Sequence, residues 1–259
     1  MSFWRAIEWH QPWLEPYRVE GESACARLEQ GVALHDALNE LAVRHGIALR
    51  AGPLRFVSQD ELPAHDAYEA FIFRSACVPT RGNLHDFFNA LVWLAFPQIK
   101  RRLNELQAEV IERSGVGATR GALRDALTLF DENAALWWAE QPLADALAAR
   151  DWKTLFVQRR NDWRGARMIL FGHALIEKLV SPRKPITAHV WRMPVGSTLD
   201  DVVTQELQAD RLARRPWMPM PVLGVPGWWR ANEDSGFYDD GAVFRPRPKD
   251  QPQDAADKP

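Results

Sequence analysis

The sequence predicts an α+β fold that is predominantly helical, with a small antiparallel sheet and a long irregular C-terminal strap rich in proline and tryptophan. Apolar residues recur at three- and four-residue steps over most of the chain before Pro216, which is typical of helices packed on a core. Only short runs have the composition of strands. We expect one globular domain over residues 1–246 and a disordered tail over 247–259, which is polar and contains prolines.

The N-terminal third is predicted to be mostly helical. Residues 22–45 carry the apolar spacing of one helix or two, and Gly31 marks the expected break. Gly46 occupies the position of a C-terminal glycine cap. The other elements predicted before residue 80 are an irregular or partly helical lead-in at 1–20, a strand at 54–57 and a helix at 67–76 that ends before Pro79.

A helix at 83–96 has the clearest pattern in the chain. Its apolar face repeats at helical spacing, and Pro97 ends it or opens the next helix. Asn83 is expected to be the N-cap, with Asp86 as its reciprocal partner. The residues of the apolar face are Leu84, Phe87, Phe88, Leu91 and Ala95.

The second half is predicted to alternate helices with a few short strands. Residues 131–134 interrupt two apolar runs, an arrangement that fits a hairpin turn about as well as a helix. Residues 163–180 predict a long helix that stops before Pro182. The remaining predicted elements are helices at 98–113, 121–130, 143–149 and 199–213, an element that starts at 151–156, and a strand at 186–191.

The first candidate site lies on the helix at 83–96. His85 and Asn89 are four residues apart and therefore share one helix face, and Arg81 lies one turn earlier. Such a row can bind an anion or a metal, or hold a general base. The alternative is that Asn83 and Asp86 cap the helix and that His85 is a surface residue.

The second candidate site includes His173 and Glu177, whose spacing suits two metal ligands or an imidazole oriented by a carboxylate. The same spacing also produces ordinary helix pairs. Gly172, inside the predicted helix, costs about 1 kcal/mol relative to alanine, which a close approach of another segment would justify. If His85, His173, His189 and a carboxylate such as Asp131 converged, they would form a divalent metal centre for hydrolysis.

Composition and motifs set several functions aside. The formal net charge is −2, so no global field favours nucleic acid, and the basic run at 100–102 is interpreted as a solvated helix face. Residues 159–167 are the best nucleic-acid candidate. No glycine-rich phosphate loop, dinucleotide fingerprint or Gly-x-Ser-x-Gly elbow occurs. Two cysteines, no secretory signal pattern and no long apolar run favour a reduced cytoplasmic protein.

Several stretches resemble a bacterial family described as domain of unknown function 3025. The resemblance implies a single bacterial cytoplasmic domain and supplies no activity, cofactor or catalytic residue. Family members often have glycine where this chain has Ala134, which weakens a tight turn there. The matching stretches are TRGNLHDFFNALVWLAFP at 80–97, LTLFDEN at 127–133, FGHALIEK at 171–178, PMPVLGVPGWW at 219–229, FYDD at 237–240 and VFRP at 243–246.

These observations favour an enzyme with a polar pocket, and a metal-assisted hydrolase is the reaction class that we expect. An alternative is a non-catalytic binding or adaptor module that presents an aromatic surface near Trp217 or Trp228 and Trp229 to a protein partner. A nucleic-acid-binding protein is a further alternative. The substrate, the reaction and the oligomeric state are not readable from the sequence.

Overall fold

The computed structural model describes residues 2–114 and 121–247, and helices account for most of them. The residues of the predicted tail beyond 247 lie outside the described residues, as do Gly115 and Gly117, before which the helix predicted at 98–113 is expected to end. The helices are α1 (Arg18–Glu29), α2 (Leu34–Arg44), α3 (Tyr68–Ser75), α4 (Leu84–Ala95), α5 (Pro97–Ser114), α6 (Ala122–Asn133), α7 (Gln141–Ala149), α8 (His173–Lys178), α9 (Leu199–Asp201) and α10 (Ala209–Ala213).

The strands form three small sheets. They are β1 (Ala48–Leu49), β2 (Gly52–Pro53), β3 (Arg55–Ser58), β4 (Cys77–Thr80), β5 (Ala134–Trp138), β6 (Arg167–Leu170), β7 (Thr187–Met193) and β8 (Trp217–Pro221). Strands β1 and β2 pair antiparallel, β3 and β4 pair parallel, and the largest sheet has the order β6-β5-β7-β8. In that sheet β5 and β7 are parallel, whereas β6 and β8 are antiparallel to their neighbours. The α+β, mostly helical fold with a small antiparallel sheet is confirmed.

The N-terminal helices follow the glycine signals. Helices α1 and α2 are separate, and Gly31 between them has a φ of 83° that suits glycine. Gly46 follows α2 with a φ of 60°, and the next amide reaches back to the carbonyl of Ala42 in the pattern of a glycine-terminated helix. Two 3₁₀ segments, Phe3–Ala6 and Pro12–Tyr17, precede them.

The long helix predicted at 163–180 is wrong. The segment divides into a 3₁₀ turn at Arg160–Gly165, strand β6 and the short helix α8. Strand β6 pairs with β5 along its whole length, so its backbone groups find partners in the sheet. The apolar run of residues 168–171 fits a buried strand as well as it fits a helix face, and the neighbouring strand decided between them.

The hairpin alternative at 131–134 is also wrong, because α6 continues to Asn133 and β5 begins at the next residue. The helix predicted at 199–213 is broken into α9, a π-helical turn at Val202–Glu206 and α10. Pro79 does not end α3, which stops at Ala76 with a left-handed φ of 57°. Pro79 instead lies in β4, opposite Val57 of β3.

The strap after Pro216 starts as edge strand β8 and continues through 3₁₀ turns. Tyr238 stacks on the core ring of Phe156 with centroids 5.2 Å apart, and Phe244 packs on both. The Asn232 amide donates to two strap carbonyls at 2.8 Å. These buried contacts fix an irregular segment on the helical body. In the described part of the chain, no helix combines the length and the apolar character needed to span a bilayer.

Candidate active site

Helices α4 and α8 and the end of α6 bring the two candidate sites together. Asn83 caps α4, as predicted, because its side chain accepts from the Asp86 amide at 2.8 Å. The amides of Phe171 and Gly172 both donate to the carbonyl of Ala134 at 2.9 Å, so the chain leaves β6 directly against the α6–β5 junction. This places His173, the first residue of α8, beside the last turn of α6.

Gly172 shows the close approach that the sequence suggested. A Cβ atom there would overlap the backbone of Glu132 and Asn133. The prediction that Gly172 lies inside a helix is wrong, because it is the N-cap residue of α8. Glycine is therefore required by the contact between two segments and not by a special backbone angle.

The two imidazoles of His85 and His173 are in direct contact. Their Nε2 atoms are 3.1 Å apart, and the rings meet edge-on with centroids 4.5 Å apart. The Nδ1 atom of His85 is 2.9 Å from a carboxylate oxygen of Glu177, and the Nδ1 atom of His173 is 2.8 Å from the backbone carbonyl of Asp131. His173 is 5% exposed, whereas the His85 side chain is 36% exposed and lines a cavity.

The contacts assign a tautomer to His173. A backbone carbonyl only accepts, so His173 donates from Nδ1, and its Nε2 is then an acceptor. Nε2 of His85 is therefore the donor of the contact between the rings, while Nδ1 of His85 faces the Glu177 carboxyl group. The pair thus presents a proton at His85 Nε2 and an acceptor nitrogen at His173 Nε2.

A buried ion pair lies beneath the histidines. Lys100, 4% exposed, donates to Asp131 at 2.6 Å and to Asn89 at 2.8 Å, and its ammonium lies 5.2 Å from the Trp93 ring centroid. Burial alone would raise the pKa of the Asp131 carboxyl, but Lys100, and after it His173, outweigh burial and lower that pKa. Asp131 therefore remains a carboxylate.

Burial lowers the pKa of His173 to about 4, because the Lys100 ammonium and His85 add to the effect and the Asp131 carboxylate only partly opposes it. His173 is therefore neutral at pH 7, in agreement with its role as an acceptor at Nε2. The hydrogen between the two rings therefore lies on Nε2 of His85.

Two further polar groups line the same cavity from α3. The Tyr68 hydroxyl accepts from the Asn89 amide at 3.0 Å, and burial raises the pKa of Tyr68 well above its usual range. Burial also raises the pKa of the Glu69 carboxyl, an effect opposed by Lys100 and increased by Asp131. Glu69 and Asp131 are thus carboxyl groups of one cavity with pKa values shifted in opposite directions.

The cavity has a volume of about 390 Å³. Its walls come from α3, α4, α5 and α6, and Leu62 and Ile111 supply apolar surface. The polar and charged side chains that line it are Gln59, Tyr68, Glu69, Arg81, His85, Asp86, Asn89, Gln107, Arg124, Thr128, Asp131, Glu132 and His173.

The predicted site residues occupy different places around this cavity. The hydrogen-bonded chain contains His85, His173 and Glu177. Asn89 is not part of it, and its side-chain oxygen accepts from Lys100. Arg81 does not extend the row on α4. Its guanidinium binds both carboxylate oxygens of Asp86 at 2.9 and 3.0 Å, and Asp86 also accepts from the Arg81 amide. The Asp86 carboxylate therefore binds Arg81 and not, as expected for a reciprocal cap, the backbone of Asn83.

The structure places His189 outside this cluster. Its Nδ1 atom is 2.7 Å from the side-chain amide of Asn133, and its ring packs edge-on against Trp217. Asp131 presents its carboxylate to Lys100 and its carbonyl to His173. Within residues 2–114 and 121–247, no three side chains of His, Cys, Asp or Glu are arranged to hold a metal ion.

Sequence reasoning missed Lys100, Tyr68 and Glu69. Lys100 belongs to the basic run interpreted as a solvated helix face, and it is buried in the structure. Its spacing from Phe96, just before α5, and from Leu103 on α5 puts it on the apolar side of that helix, which was the available signal. Tyr68 and Glu69 follow the start of α3 and carried no recognisable pattern.

The residues of the two alternative functions have other contacts. In the basic segment, Arg159 pairs with Asp162 at 3.0 Å and Arg160 pairs with Glu233 at 2.7 Å in the strap. Trp228 packs on Trp13 with centroids 6.2 Å apart. The exposed large apolar residues among those described are Val19, Val43 and Val195, which all lie before the strap.

Comparison with known proteins gives a family and no activity. No curated protein and no solved structure matches the chain. The matching family model is described as a protein of unknown function, DUF3025, and covers residues 54–248. That span includes the cavity-lining residues and both halves of the histidine pair, and the chain belongs to this family.

Proposed function

We propose that this protein is a hydrolase that uses the His85–His173 pair for general acid–base catalysis. The observation that carries the proposal is the hydrogen-bonded chain from Glu177 through His85 and His173 to the Asp131 carbonyl, placed in the wall of a cavity. Structural histidines are usually satisfied by one or two fixed partners. Here one ring is partly exposed, and its Nε2 proton faces the acceptor nitrogen of a second ring.

In the proposed reaction His173 is the general base and His85 is the general acid. Water attacks the electrophilic atom of the scissile bond as it gives a proton to Nε2 of His173, and the leaving group takes the Nε2 proton of His85 as its bond to that atom breaks. The proton on His173 then passes to Nε2 of His85, 3.1 Å away, which restores the starting state. Glu177 orients His85, and Asp131 orients His173.

The opposite pKa shifts of Glu69 and Asp131 support this assignment. The Asp131 carboxylate, held by Lys100, stabilises positive charge on the pair. Catalytic sites often contain titratable groups whose surroundings shift their pKa values in opposite directions. Glu69 and Asp131 both line the cavity that holds the histidine pair.

A metal-assisted reaction has weaker support. Catalytic zinc sites use three protein ligands, and the described residues offer only the two facing Nε2 atoms. Metal analysis of the purified protein, before and after dialysis against a chelator, separates the two mechanisms.

The test is hydrolysis of chromogenic esters, amides, phosphoesters and glycosides by wild type and three variants. We expect His85→Asn and His173→Asn to reduce the rate on the accepted class by about 10²–10⁴-fold. His189→Asn, a histidine outside the cluster, should leave it within about twofold. Equal rates for His85→Asn and wild type, or no hydrolysis by the wild type of any class, would reject the proposal.

The proposal also places the protein in the bacterial cytoplasm. Neither cysteine forms a disulfide, since Cys77 is buried and Cys25 is partly buried as free thiols. Burial raises the pKa of Cys25 to about 11, which keeps it an unreactive thiol. Two inert thiols are consistent with a reducing compartment.

A further inference from the structure

Arg124 is the one arginine or lysine of the cavity that has no carboxylate partner among the described residues. The other two cations of the site are neutralised, because Arg81 binds Asp86 and Lys100 binds Asp131. Arg124 is half-buried in the cavity wall, and no carboxylate oxygen of the described chain lies within 4.0 Å of its guanidinium. Residues 115–120, which precede its helix, contain no aspartate or glutamate in the sequence GVGATR.

The helix that carries Arg124 leads directly to the histidine pair. Arg124, Thr128 and Asp131 lie on one face of α6 and all line the cavity. Asp131 lies seven positions after Arg124, which corresponds to a rise of about 10 Å along the helix axis. Asp131 touches His173 through its carbonyl. The cavity therefore has a guanidinium near one end and the histidine pair near the other.

The surroundings of Arg124 suit a polar, anionic group. Gln107 and Ile111 face the same cavity from α5, one turn apart, and supply an amide and an apolar side chain. Guanidinium groups bind carboxylates and phosphates through two parallel hydrogen bonds. An unpaired guanidinium in a concave site is thus a recognition group for an oxyanion.

We propose that Arg124 binds the oxyanion, a carboxylate or a phosphate, of a small ligand that spans the cavity to the histidine pair. The proposed binding of an oxyanion rests on the unpaired charge of Arg124 in the cavity, while the identification of the ligand as a substrate rests on the proposed function. The rise of about 10 Å between Arg124 and Asp131 sets the length scale of a ligand that spans the two ends of the cavity. The other acids that face the cavity are Glu69, with its raised pKa, and Glu132 at the exposed end of α6.

The experiment measures binding without catalysis. Inorganic phosphate and, separately, acetate are titrated at constant ionic strength while the arginine side-chain and histidine ring signals are followed by NMR. The variants are Arg124→Gln, Arg124→Lys and the matched control Arg164→Gln, an exposed arginine that does not line the cavity. The two probes separate a phosphate site from a carboxylate site.

We expect saturable binding of at least one probe by the wild type. Arg124→Gln should weaken it by about tenfold or more, because a charge-assisted pair is lost. Arg124→Lys should have an intermediate effect because it keeps the charge without the two-pronged geometry. Arg164→Gln should bind like the wild type. A circular dichroism spectrum of each variant checks that it is folded.

Unchanged binding by Arg124→Gln, equal weakening by Arg164→Gln, or no saturable binding of either probe would overturn the inference. His85→Asn should still bind the oxyanion. If it does so and also keeps hydrolytic activity, the proposed reaction fails while the anion site stands. If Arg124→Gln binds normally while His85→Asn is inactive, the anion site fails and the proposed reaction stands.

Discussion

The buried His173 should make the protein less stable in mild acid, and replacing it should remove that effect. The variant is His173→Asn, whose amide can still donate near the Asp131 carbonyl that accepts from Nδ1. His173 has a pKa of about 4 when folded and about 6.5 when unfolded. Between these values the unfolded chain binds one proton more than the folded chain. The free energy of unfolding therefore rises with pH across this window, and the contribution of His173 to stability is lost as the pH falls.

The magnitude follows from the size of the shift. Each pKa unit corresponds to about 1.4 kcal/mol, so His173 contributes about 3 kcal/mol that is present above pH 6.5 and lost by pH 4. About 2 kcal/mol of this is lost between pH 7 and pH 5. The lowered pKa of Asp131 acts in the same direction at lower pH. The raised pKa of Glu69 acts in the opposite direction, which is why a difference between variants is needed.

The assay is urea unfolding followed by circular dichroism at pH 5, 6 and 7. His173→Asn should be less stable than wild type at pH 7, and the gap should shrink by about 2 kcal/mol at pH 5. His189→Asn is the comparison, because burial also lowers the pKa of His189 but its ring is only half-buried. It should show a smaller change of the same sign. A gap for His173→Asn that does not change with pH would refute the reasoning.

Three further predictions concern the supports of the site, each measured as the free energy of unfolding in urea. Gly172→Ala should destabilise by about 3 kcal/mol, because its Cβ would overlap the backbone at the end of α6, whereas Gly165→Ala meets no atom and should change stability by less than about 1 kcal/mol. Lys100→Met should cost about 3–5 kcal/mol by leaving the Asp131 carboxylate buried and unpaired, and adding Asp131→Asn should restore part of the loss; additive effects would contradict the ion pair. Asn83→Ala should cost about 1 kcal/mol and Asn83→Ser much less, unless the cap contributes nothing.

Local signals in the sequence were reliable where the deciding partners are close in the chain. The N-cap Asn83, the break at Gly31 and the cap at Gly46 depend on residues within one or two turns, and all three are confirmed. The segment at 163–180 failed because its neighbour in the sheet, β5, begins about 30 residues earlier. A single sequence does not show which apolar run has a strand beside it.

The candidate site shows the same division. The helical spacing of His85 and Asn89 predicted a shared face, and the structure places both on the cavity wall. The partners that decide their roles are distant in the chain, since Glu177 is 92 residues from His85, and Asp131, which holds the Lys100 bonded to Asn89, is 31 residues from that lysine. The apolar spacing around Lys100 places it on the buried side of its helix, but the sequence does not show that Asp131 is there to pair with its charge. The catalytic role of these residues stays a prediction, as does the single domain over residues 1–246.

The backbone contact at Gly172 explains why these distant residues can act on one proton. His173 can accept from His85 only if its own Nδ1 is committed as a donor, and the Asp131 carbonyl commits it. That carbonyl lies in the last turn of α6, against which Gly172 packs without a side chain. A larger residue at 172 would separate α8 from α6 and free the tautomer of His173. We therefore expect Gly172→Ala, if it folds, to weaken the His85–His173 hydrogen bond in imidazole ¹⁵N spectra, whereas Gly165→Ala should leave it unchanged. An intact hydrogen bond in a folded Gly172→Ala variant would show that the approach of the two backbones serves packing alone.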